Sequence, residues 1–165
     1  MNVILNDKSV ELQKRDRKVG SEAPAVKLKM LSGDEKVIGM IADKIQVMFT
    51  LPYSHSINED IIKLIHKYRD RTNIYLISSD EFFYNVNKNY ASKDFENFSM
   101  KFGVYINDEI CAKSVFIIDK EGEIVYKNVL NKLNTDFDID ELDSEIQRAV
   151  EFKRKGHVHE NWMAV

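Results

Sequence analysis

A chain of 165 residues with 44% hydrophobic and 31% charged side chains has the size and composition of one globular domain with one core. Its 24 Lys and Arg against 27 Asp and Glu leave a net charge of −3, and with no long basic stripe this excludes nucleic-acid binding as an expectation. No apolar run approaches the roughly 20 residues of a membrane span. The first residues lack the basic and apolar segments of a secretory signal, so a cytoplasmic location is expected.

In chain order, Val3-Ile4-Leu5 and Ser9-Val10-Glu11-Leu12 flank the polar turn Asn6-Asp7-Lys8 and predict a small β-hairpin. Val26-Lys27-Leu28-Lys29-Met30 alternates apolar and polar, as a half-buried strand does. The turn Ser32-Gly33-Asp34 joins it to Lys36-Val37-Ile38 in a second hairpin. Ile45-Gln46-Val47-Met48-Phe49-Thr50-Leu51 is nearly continuous apolar sequence, the pattern of a central strand covered on both faces, and Pro52 ends it.

Residues 58–69 place Ile61, Ile62, Leu64, Ile65 and Tyr68 at helical spacing, with Lys63, Lys67 and Arg69 opposite. Residues 73–78 read as a second buried strand. Residues 82–90 are expected to form a helix, although Asn85, Asn87 and Asn89 oppose it. Residues 115–119 and 123–126, around Lys120-Glu121-Gly122, predict a third hairpin. A last helix is expected over 138–153, with Asp138 as N-cap and Ile139, Leu142, Ile146, Ala149 and Val150 as its inner stripe. Strand-helix-strand implies parallel pairing and the late hairpin adds antiparallel strands. The expected architecture is therefore α/β, a mixed central sheet flanked by helices with an N-terminal β-hairpin. Residues 1–153 make one domain and 154–165 a C-terminal tail.

Candidate chemistry is sparse. Cys111 is the single cysteine, so no disulfide forms within one chain. It is expected to be a buried packing residue. His55, His66, His157 and His159 are too scattered for a structural zinc site, and neither a metal nor a cofactor is expected. Trp162 and Met163 in the tail point to docking on this chain or on a second subunit.

Three stretches carry a family resemblance. Lys18-Val19-Gly20-Ser21-Glu22-Ala23-Pro24, Phe102-Gly103-Val104 and the hairpin from Ser114 through Tyr126 occur in the order and spacing of the peroxiredoxins. The chain resembles the bacterial thiol peroxidase branch of that family, which implies a thioredoxin-like fold. The resemblance runs from about Val3 to about Val150. The family's motif is a proline, three residues, a threonine or serine, two residues, and the peroxidatic cysteine. Pro52 and Ser56 fall on the first two positions and Glu59 on the third. The arginine that completes the family's site is replaced by Lys113, and the resolving cysteine has no counterpart.

Peroxide reduction needs a thiolate that passes through sulfenic acid. A carboxylate has no such oxidation ladder. The expectation is a redoxin homologue without the family's cysteine chemistry, acting as a binding or regulatory protein, with Glu59 paired to Lys113 where the family has thiolate and arginine. Ser56 is expected to cap the following helix. The alternatives are a one-cysteine peroxidase or redox sensor using Cys111, and an unrelated enzyme using His55, Glu59 and Lys113. The resemblance also implies a homodimer, and a protein partner is expected.

Overall fold

The computed structural model describes residues 2–5, 8–12, 17–53, 57–80, 86–133 and 135–151. Strand β5 (Ile45–Leu51) is its axis, and every one of its seven residues is buried. It pairs in parallel with β6 (Thr72–Ser78) and antiparallel with β8 (Ser114–Ile118). The short β7 (Ala91–Ser92) and the longer β9 (Ile124–Val129) complete the order β7-β6-β5-β8-β9. Two hairpins lie outside this sheet, β1 (Asn2–Leu5) with β2 (Lys8–Glu11) and β3 (Val26–Lys29) with β4 (Glu35–Ile38).

The uninterrupted apolar run in β5 follows from burial on both faces. Val47, Phe49 and Leu51 point to one side, where they meet Ile61, Leu64 and Tyr68 of α1 (Glu59–Tyr68) and Leu142 and Ile146 of α3 (Ile139–Glu151). Met48 points to the other, with Ile77, Phe98, Phe102 and Phe116. Asp138 caps α3 as expected, its Oδ1 accepting from Glu141 N at 3.1 Å. Tyr68 and Lys67 of α1 bond the Asp143 carboxylate of α3, tying the two helices together over the sheet.

The helix expected over 82–90 is not the element that covers the second face. Residues 81–85 lie outside the described residues. Residues Lys88–Tyr90 form one 3₁₀ turn, and β7 follows at once. The covering helix is α2 (Phe95–Phe102), absent from the expected elements. Phe95, Phe98 and Phe102 recur at i, i+3 and i+7 on its buried side. Gly103, at φ +76°, ends it in the left-handed conformation that glycine adopts without a Cβ penalty, and Val104 N closes on Ser99 O at 2.9 Å. The β3–β4 hairpin packs beside α2, held by Lys29 N to Asp94 Oδ2 at 2.7 Å and Ser92 Oγ to Lys29 O at 2.8 Å. No helix among the described residues is long and apolar enough to cross a membrane.

Candidate functional site

The strand-to-helix connection from β5 into α1 carries the motif positions. Pro52 is buried directly after β5, and its carbonyl accepts a hydrogen bond from Ser79 Oγ at 2.7 Å, just beyond β6. Ser54, His55 and Ser56 lie outside the described residues, so the expected roles of His55 and Ser56 do too. The helix is capped by Asn58. Its backbone is extended and its Oδ1 accepts from Ile61 N at 2.9 Å. Replacing Asn58 by Ala is expected to cost about 1 kcal/mol of unfolding free energy in a urea titration. Glu59 and Asp60 occupy the first turn, where negative charge is favoured by the helix dipole, and both are exposed.

Lys113 stands immediately before β8, and only 2% of its surface is accessible. Its Nζ donates to Thr135 O at 2.6 Å and to Asp136 Oδ1 at 3.3 Å, and it lies 5.5 Å from the centre of the Phe137 ring. The expected partnership with Glu59 is therefore replaced. Among the described residues no ion pair joins Glu59 to Lys113, whose carboxylate partner is Asp136. A buried ammonium needs partners, and the loop before α3 supplies them. Leu130 N donates to Lys113 O at 2.9 Å, which brings that loop alongside β8. Phe137 meets Phe49 edge-on, with ring centroids 5.7 Å apart. On the other face, Thr50 Oγ1 bonds Ser114 Oγ and Ala112 O, so these two buried hydroxyls satisfy each other and the strand end.

Cys111 has no exposed surface. Burial pushes its thiol up to about 12, well above the ordinary value, and the nearby Ser99 and Ser79 groups offset this only in part. Ser99 Oγ is buried without a hydrogen-bond partner of ordinary geometry. A thiol held neutral in apolar surroundings is a poor nucleophile. Among the described residues no cluster of three or more His, Cys, Asp or Glu is arranged to hold a metal. A cleft of about 300 Å³ runs beside the C-terminal half of α1, lined by Ile65, His66, Arg69, Ile74, Leu76 and Tyr90 among others, at the far end of the helix from Glu59.

No family model matches the chain. It is 26% identical over 165 residues to a thiol peroxidase of Aquifex aeolicus (strain VF5), spanning 90% of this chain and 98% of that protein. The sequence is homologous to the thiol peroxidases. The crystal structure of a peroxiredoxin-like protein from Aquifex aeolicus superposes with a TM-score of 0.74 at 24% identity, over 90% of this chain and 96% of that one. A thiol peroxidase from Chromobacterium violaceum gives 0.69 at 14% identity, over 89% and 96%. The peroxiredoxin, thioredoxin-like fold expected from the sequence is the fold observed, a five-stranded mixed sheet with α1, α2 and α3 packed on it. Glu59 stands at the N-terminus of α1 and Lys113 immediately before β8.

Proposed function

We propose that this chain is a cytoplasmic peroxiredoxin homologue of the thiol peroxidase branch that does not reduce peroxide through cysteine and acts by binding a protein partner. The observation that carries the reading is the state of its thiol inventory. The position at the start of α1 holds Glu59, an exposed carboxylate. The one thiol in the sequence, Cys111, is fully buried and held protonated. Attack on an O–O bond requires a thiolate that peroxide can reach, and neither residue meets that requirement. Lys113 supports the same reading. A cation that in the family assists the thiolate is here engaged by Thr135 and Asp136, and its work is to hold the loop before α3 against β8.

Peroxide consumption, measured with thioredoxin and separately with glutathione as reductant, tests the reading on the wild-type protein and on Cys111→Ser. Both proteins are expected to match the protein-free control. Turnover in the wild type that disappears in Cys111→Ser would establish the one-cysteine peroxidase instead. Turnover in both would place the chemistry on residues other than Cys111.

A further inference from the structure

The first half of β6 has an open side. β5 pairs with β6 along its whole length, whereas β7 reaches only Leu76 and Ile77. No strand among the described residues therefore covers the outer edge from Thr72 to Tyr75. The cleft of about 300 Å³ lies in that gap, between the C-terminal half of α1 and the segment leading into β7. Its apolar lining comes from Ile62 and Ile65 of α1, Ile74 and Leu76 of β6, and Val86. Tyr90 lines it too, and its ring is fixed in place. It packs 5.6 Å from the Tyr75 ring, and Lys36 Nζ stands 4.2 Å from its centre.

Several polar groups around this cleft are engaged within the fold. Thr72 Oγ1 donates to Tyr68 O at 2.9 Å, and Asn87 Oδ1 accepts from Asn89 N at 2.9 Å. Of the cations nearby in sequence, Lys67 holds the Asp143 carboxylate, and Arg71 lies 5.2 Å from the centre of the Tyr68 ring. Arg69 and Asp70 are different. Both line the cleft and both are exposed. Among the described residues neither side chain has an ion-pair partner. His66, one turn before Asp70, also lines the cleft and adds a ring nitrogen to the same rim.

One cation and one anion beside an apolar lining discriminate among ligands. A plain carboxylate would be repelled by Asp70, and a plain amine by Arg69. A zwitterion answers both charges. The guanidinium of Arg69 presents a planar fork that matches a carboxylate. α1 ends at Tyr68, and the negative end of its dipole favours an ammonium beside Asp70. The volume is at the small end of ligand pockets, which suits a molecule of single-residue size. We infer that this cleft binds a free α-amino acid with an aliphatic side chain. Its carboxylate rests on Arg69, its ammonium on Asp70, and its side chain against Ile65, Ile74 and Leu76. The site lies at the far end of α1 from Glu59 and does not involve Cys111, so it stands or falls independently of the peroxide reading.

Amide chemical-shift titration of the nitrogen-labelled full chain with L-leucine tests the assignment. N-acetyl-L-leucine lacks the ammonium, L-leucinamide lacks the carboxylate, and glycine lacks the side chain. L-leucine is expected to bind saturably, with shifts centred on Arg69 and Ile74, and the other three to bind at least tenfold more weakly. Arg69→Gln and Asp70→Asn, both exposed, are each expected to weaken L-leucine at least tenfold with an unchanged circular dichroism spectrum. Asp70→Asn is also expected to remove the preference for L-leucine over N-acetyl-L-leucine, a reversal that a merely structural role for Asp70 would not produce. Absence of saturable shifts with L-leucine up to its solubility limit would overturn the assignment. So would glycine binding as tightly as L-leucine, or an affinity for L-leucine that both variants leave unchanged. Tighter binding of N-acetyl-L-leucine than of L-leucine to the wild type would overturn it in favour of a plain carboxylate.

Discussion

Native protein mixed with an aromatic disulfide reagent at neutral pH is expected to release almost no thiolate, whereas Glu59→Cys releases one equivalent rapidly. The difference follows from where the two sulfurs sit. Burial raises the Cys111 thiol from 9.0 to about 12, so at neutral pH its thiolate is about a thousandfold scarcer than that of an unperturbed thiol. The absence of any exposed surface slows the reagent further. A cysteine at position 59 would instead stand in the first turn of α1, exposed, with the positive end of the helix dipole beneath it. That environment lowers a thiol's pKa. The ratio of labelling rates between Glu59→Cys and wild type is expected to exceed about a thousandfold. The measurement is a time course of absorbance from the released reagent thiolate, repeated in denaturant, where both proteins must show their full cysteine count. Rapid release from native wild-type protein would show that Cys111 is reached and ionised, and would reopen the one-cysteine peroxidase. Lys113 remains bonded to Thr135 and Asp136 in this picture, so the new thiol gains the helix terminus without the cation.

Much of this arrangement is legible in the sequence because it depends on short-range patterns. The seven residues of β5 match the apolar run 45–51, and the stop at Pro52 follows from a missing donor. Asp138 and the stripe Leu142 and Ile146 mark α3 in the same local way. The cap of α1 is local as well, though it falls on Asn58, the first residue of the expected helix, whose side chain takes Ile61 N. The partner of Lys113 is a different matter. Asp136 lies 23 residues further on, and only the docking of the 130–137 loop against β8 brings it into reach. No spacing rule encodes that pair. Glu59 is the nearer guess from the family motif, yet it points to solvent. The backbone of Met40, at φ +53°, is likewise invisible in sequence, since its conformation is imposed by Gln46 and by close backbone contact at Gly39 and Gly122.

The helix α2 is the instructive omission, and it predicts the largest stability effect. Its pattern, Asp94 before Phe95, then Phe98, Phe102 and Gly103, has an acidic start, an apolar i, i+3, i+7 series and a glycine stop. The asparagine-rich stretch before it draws the helix reading too early, and eight residues make a weak periodic signal. Tertiary packing supplies what propensity does not. The Phe98 and Phe102 rings stack with centroids 4.2 Å apart, and Phe102 meets Phe116 of β8 edge-on at 5.0 Å. All three are fully buried in the core on that face of the sheet, along with Cys111. Phe102→Ala removes a ring from both contacts and leaves a cavity that the surrounding strands can fill only in part, so a loss of about 3–5 kcal/mol in unfolding free energy is expected from urea titration. Phe102→Leu, which keeps most of the volume, is expected to lose clearly less. A change below about 1 kcal/mol for Phe102→Ala would mean that α2 contributes little to the core, since surface substitutions fall in that range. The same variant links the two halves of the molecule's chemistry. Loosening the core around Cys111 exposes the thiol, so labelling of Phe102→Ala in native buffer should accelerate in step with its lost stability, showing that packing against α2 is what keeps the single cysteine silent.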